Sequence, residues 1–108
     1  MKFFSDPVEV HAAPIAEGAY TRHRDWDNAK KVWAGLANVQ PDRSFETRSP
    51  ERETAQERLL VYLPWGTPVD APDRILYKGL WYEVDGEPMR WDHGSLRHVR
   101  ARAWRVTN

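Results

Sequence analysis

The chain of 108 residues contains no cysteine, which excludes a disulfide framework and any zinc site held by thiolates. No apolar run approaches the ~20 residues that a membrane span requires. The opening Met1-Lys2-Phe3-Phe4-Ser5-Asp6-Pro7 lacks the longer apolar stretch of a secretory leader. The expectation is therefore a soluble, unprocessed protein with no membrane partner. Net charge is missing too, because 16 basic and 16 acidic side chains cancel. That argues against a surface that traps nucleic acid or anionic lipid over its whole extent, so any basic contact must be local. There is no internal repeat, no low-complexity tract and no glycine-rich phosphate loop.

What is present is polar and aromatic. Charged residues make up 30% of the chain and hydrophobic ones 41%, and the mean hydropathy is −0.77, so a modest core must be wrapped in a very polar surface. The length suits one domain spanning 1–108. Six tryptophans are more than a small core readily hides, which places some of them on an assembly surface.

Val8-Glu9-Val10-His11-Ala12 alternates apolar with polar, the period of a half-buried strand, and Pro14 limits its run. A weaker extended segment covers Ala19 to Trp26, and Asp25-Trp26-Asp27-Asn28 reads as a turn. Val32 to Val39 reads as the next strand, with Gly35 marking a bulge or a close backbone approach and a helical turn over Ala34 to Ala37 as the alternative. Leu59-Leu60-Val61-Tyr62-Leu63, closed by Pro64, has the pattern of a core strand buried on both faces. After a stretch dense in turn formers, Arg74 to Tyr77 and Leu80 to Val84 form two strands around Lys78-Gly79, and Asp85-Gly86 supplies a further turn. In the last strand Val99, Ala101 and Ala103 alternate with His98, Arg100 and Arg102, giving it a small apolar face and a basic face. Short strands at close spacing with no amphipathic helix point to an all-β protein, a small antiparallel barrel or sandwich.

Pro41 to Gln56 stands apart. It carries Arg43, Glu46, Arg48, Glu51, Arg52 and Glu53, with Phe45 and Ala55 as its apolar residues, so it can supply little core. Within it Ser49-Pro50-Glu51 reads as a helix start, with serine as cap and proline in the first turn, predicting a short helix near 49–57. A structureless insertion of this length in a compact domain is uncommon and is usually functional or disordered.

Chemistry-bearing clusters are weak. His11, His23, His93 and His98 show no i, i+4 pair of the kind that holds zinc on a helix, so no metal and no cofactor is expected. Asp92-His93 beside Ser95 invites a triad reading, yet the surroundings are those of a hairpin turn and not of a nucleophile elbow. No motif predicts an enzyme. The C-terminal segment is locally basic: Arg90, Arg97, Arg100, Arg102 and Arg105 face Asp92. Arg100 and Arg102 share a strand face with Trp104, which suits phosphate contacts, base stacking or an acidic protein partner, and equally a solvated strand face that discourages edge pairing.

Taken together, Leu63-Pro64-Trp65-Gly66-Thr67, Asp73-Arg74, Gly79-Leu80-Trp81-Tyr82-Glu83-Val84 and the closing Val99 to Val106 resemble the head-to-tail stopper, or head-completion, proteins of long-tailed phages. In that pattern an apolar strand ends in Leu-Pro-x-Gly-Thr, an Asp-Arg pair opens the next strand, and a Gly-x-x-Tyr-x-Val hairpin leads to the last. The likeness covers roughly the second half of the chain. It implies a β-barrel in a ring of six or twelve copies in the virion neck, with an adaptor and portal ring above, a tail-terminator ring below and DNA in the lumen. Synthesis would be in the host cytoplasm. The long insertion would close the channel, and its counterpart here is 41–56. The resemblance makes Trp65 and Trp81 candidates for ring contacts, and Gly66, Asp73, Arg74, Gly79 and Gly86 structural turn residues. The alternative is an independent nucleic-acid-binding barrel working through Arg100, Arg102 and Trp104.

Overall fold

Alternating side chains along nearly every strand dictate a sheet with one apolar face, and a sheet of this size hides that face by closing on itself. The computed structural model describes residues 3–17, 22–42 and 55–107. Its strands are β1 (Asp6–Ala12), β2 (Ile15–Glu17), β3 (Arg22–Arg24), β4 (Lys30–Pro41), β5 (Ala55–Pro64), β6 (Arg74–Tyr77), β7 (Leu80–Val84), β8 (Met89–Trp91) and β9 (His98–Thr107). Antiparallel pairing runs β5-β4-β1-β6-β7-β9, and a β5–β9 ladder closes the circuit into a six-stranded barrel. β8 pairs with β9 as one outer strand. β2 and β3 form a separate two-stranded ribbon. Short 3-10 turns at Trp26–Asn28 and Gly94–Leu96 are the helical features among the described residues, and no helix among them is long and apolar enough to cross a membrane.

The core follows the alternation. Val8 and Val10 of β1, Leu59, Val61 and Leu63 of β5, Ile75 of β6, Tyr82 and Val84 of β7, and Val99, Ala101 and Ala103 of β9 all point inward and are buried. Small alanines on β9 allow the bulky Tyr82 to share a narrow interior. Each buried valine or leucine contributes roughly 1.5–3 kcal/mol relative to exposure. Lys78 and Gly79 both have positive φ, 51° and 76°, in a two-residue link between Tyr77 and its partner Leu80. That is the turn whose twist matches its flanking strands, and the second position suits glycine because it has no Cβ to clash.

Several expectations need correction. Leu59–Leu63 is not buried on both faces: Leu60 and Tyr62 are only half-buried on the outer wall, because a barrel strand has a single inner face. The ladder irregularity lies between Val10 and His11, whose partners are Trp33 and Lys31, so the extra residue is Val32 and not Gly35. Gly35 instead gives close approach: a Cβ there would sit 2.7 Å from Trp33 Cζ2. The predicted helix fails at its C-terminal part, since Ala55, Gln56 and Glu57 belong to β5 and pair with Thr107, Val106 and Arg105. A short polar helix is marginal by itself, whereas the β9 ladder offers Ala55–Glu57 continuous backbone pairing. The remainder of that helix, 49–54, lies outside the described residues. The insertion is also shorter than 41–56, because Pro41 ends β4 and Ala55 and Gln56 open β5. The extended segment from Ala19 contains a strand at Arg22–Arg24, while β2 and β8 were not anticipated.

Candidate interaction surfaces

The inserted residues Arg43, Phe45, Glu46, Arg48, Glu51, Arg52 and Glu53 lie outside the described residues, but both points where the chain leaves and rejoins the barrel are defined. Asp42 is buried, and its N–H donates to the Arg58 carbonyl at 2.9 Å. Arg58 in turn reaches Asp85 Oδ2 at 3.1 Å and Gln56 Oε1 at 3.2 Å. One residue earlier, Glu57 accepts the Tyr82 hydroxyl at 2.5 Å on one oxygen and Arg105 Nη2 at 3.0 Å on the other. Residues of β5, β7 and β9 are thereby tied together at the root of the insertion. Burial first, and the Glu57 carboxylate second, push the Tyr82 phenol above its ordinary range. Sequence patterning missed this clamp because Glu57 looked like part of a polar helix; the only signal was a lone core tyrosine in need of a partner for its hydroxyl.

The turn residues occupy the barrel's loops. Asp73 is 5% exposed and accepts the Asp70 N–H at 2.9 Å on Oδ2, while its own carbonyl accepts the Val84 N–H at 2.8 Å. Burial raises its carboxyl group above the ordinary value. The Arg74 guanidinium lies 3.9 Å from the centre of the Trp26 ring, joining β6 to the 3-10 turn. Gly66 and Gly86 share the positive φ of Gly79.

The proposed contact residues fall into separate places. Trp65 is 39% exposed beside its turn, with the Arg97 guanidinium 4.8 Å from its ring centre. Trp81 is 47% exposed on β7 and meets the His11 ring edge-on at 4.8 Å. Arg100, Arg102 and Trp104 alternate with the buried Val99, Ala101 and Ala103, so they share the outer face of β9. Trp104 and Trp81 also line a shallow cleft of about 300 Å³ with Arg74 and Arg105. No group of three His, Asp or Glu side chains among the described residues is arranged to hold a metal ion.

A further surface was not read from the sequence. A chain of rings crosses the outer wall, with centroid separations of 4.9 Å for Phe4–Phe3, 5.9 Å for Phe3–Tyr62, 5.7 Å for Tyr62–His98, 6.4 Å for His98–Trp91 and 5.0 Å for Trp91–His93. It spans the N-terminal segment, β5, β9 and β8. Tyr62 and Met89 stand opposite Arg100 in the ladders on either side of β9. The available signal was the outward parity of Tyr62 once Leu59, Val61 and Leu63 are assigned to the core. Phe3, Trp91 and His93 are exposed and the other rings half-buried; aromatics grouped in this way mark interaction sites more often than single exposed residues do.

No protein-family model matches the chain, and no curated protein matches it.

Proposed function

We propose that the protein is a structural subunit of a phage neck, assembling as a ring between portal or adaptor and tail, and that it works by association with no catalytic turnover. The observation that carries this reading is the insertion itself. A strongly polar sequence of mixed charge separates β4 from β5 of the barrel, beside a cluster formed by Glu57, Tyr82, Arg105, Arg58 and Asp85. Such a segment is poor core material for one copy but can pair with its equivalents around an axis. The exposed tryptophans and the ring chain on the outer wall add apolar surface suited to neighbouring subunits. Antibody labelling and mass spectrometry of purified tailed particles test the proposal. The expected result is the chain at the head–tail junction, and its absence from particles overturns the reading.

The sharing of one outer face by Arg100, Arg102 and Trp104 favours a second reading, an independent barrel that binds single-stranded nucleic acid. Two phosphate contacts would give a salt slope of roughly −1.4 in log affinity against log salt. Titration of a short oligonucleotide decides it, and no binding at moderate salt eliminates it.

A further inference from the structure

Strand register lays polar and aromatic side chains in rows across the outer wall. Asn38 of β4, Tyr62 of β5, Arg100 of β9 and Met89 of β8 stand side by side. Gln40, Leu60 and Arg102 form the row on one side of them, and His98 and Trp91 pair in the row on the other. All alternate with inward residues such as Val61, Val99 and Ala101, so they share one face.

No Asp or Glu stands in any of these rows. Of the carboxylates nearby, Asp92 is held by Arg97 at 3.0 Å and Asp85 by Arg58 at 3.1 Å. Glu83 lies opposite Trp104 and Glu87 in the link from β7 to β8, both on the flank of β9 away from Tyr62. Neither Arg100 nor Arg102 meets a carboxylate among the described residues.

Two uncompensated guanidiniums call for an anion. The rings of Tyr62, His98 and Trp91, 5.7 and 6.4 Å apart in turn, call for flat partners. An acidic peptide supplies the first and not the second, and a second copy of this face would set arginine against arginine. A duplex stacks its base faces out of reach, whereas a single strand offers phosphates and open planar bases together. Asn38 and Gln40 add amides able to donate to and accept from base edges.

We infer that single-stranded nucleic acid binds across this β4–β5–β9–β8 face, with phosphates on Arg100 and Arg102 and bases on Tyr62, His98 and Trp91. The inference rests on the second reading above and moves its contact from Trp104 towards β8, away from Glu83.

Fluorescence anisotropy tests it with labelled oligothymidylate and oligouridylate of about ten nucleotides, an abasic strand of the same length and a duplex. Both oligonucleotides bind, the tighter one naming the kind of strand, and the abasic strand and the duplex bind at least about tenfold more weakly. Trp91 is 42% exposed and leucine keeps bulk at position 62, so Trp91→Ala and Tyr62→Leu should fold, as urea unfolding checks. Each weakens oligothymidylate binding about tenfold with the salt slope unchanged, and Arg100→Gln lowers that slope by about 0.7. Equal binding of the abasic strand or the duplex overturns the inference, as does equally effective competition by polyglutamate. Oligonucleotide binding that Trp104→Ala abolishes while Tyr62→Leu and Trp91→Ala leave it intact overturns the inference and keeps the second reading. No oligonucleotide binding by the natural chain removes both.

Discussion

Tyr82 offers the sharpest test of how the root of the insertion is held. Its ring is 2% exposed and its hydroxyl donates to Glu57. Tyr82→Phe removes that bond and keeps the ring, so no cavity opens and the cost is the hydrogen bond alone. A bond to a charged acceptor contributes about 1.5–3 kcal/mol. Glu57 is half-buried and can take water in exchange, which brings the expected loss to about 1–2 kcal/mol at neutral pH. Tyr82→Ala would also empty the interior and should cost about 3–5 kcal/mol. The pH dependence carries a definite sign. Burial, then Glu57, raise the phenol above 10.0, so the folded state binds this proton more tightly than the unfolded chain. Stability from that difference is complete below the unfolded value and disappears as pH climbs through the raised folded value. Above about pH 10 the natural chain should therefore lose stability faster than Tyr82→Phe, by up to ~1.4 kcal/mol per pH unit. Urea unfolding followed by tryptophan fluorescence, stepped from neutral to alkaline pH, measures the difference between the two chains. A difference that stays constant through the alkaline range, or no loss at neutral pH, would refute the clamp.

Two further substitutions probe the loops and the wall. Gly35→Ala, which would normally stabilise a strand by limiting the unfolded chain, should instead cost about 1–2 kcal/mol because the new methyl group meets the Trp33 ring at 2.7 Å; in a Trp33→Ala background the penalty should vanish, as chemical denaturation of the four chains would show. Asp73→Ala should cost about 1–2 kcal/mol by leaving the Asp70 N–H without its acceptor, whereas Asp73→Asn keeps an acceptor and should stay close to the natural stability. Since burial raises the Asp73 carboxyl, the natural chain should gain on the Asn variant as pH falls through that raised value, and parallel acid unfolding curves would contradict this.

Asp73 and Arg74 stand at the entry to β6, and the structure shows why both types suit it: one accepts a loop N–H and the other covers Trp26. Arg100, Arg102 and Trp104 were legible as one face from parity alone. The ring chain was not, because Phe3, Tyr62 and the Trp91–His98 stretch come from three segments far apart in the chain and meet only through strand order. Glu57 was misread for a related reason. Its neighbours in sequence are polar and helix-compatible, while the partners that define it, Tyr82 and Arg105, are distant in sequence.

Local pattern determined the all-β class, the turn positions and the apolar sets of the first and last strands, Val8 and Val10, then Val99, Ala101 and Ala103, because a period of two and positive-φ turns are properties of a few consecutive residues. Closure of the barrel by β5 on β9, the register that draws Ala55–Glu57 into a strand, and the meeting of Phe3, Tyr62 and His98 on the outer wall were decided by tertiary structure. Those features depend on which distant strands pair, and pairing is settled by the summed burial of the whole circuit, which no short window of sequence contains.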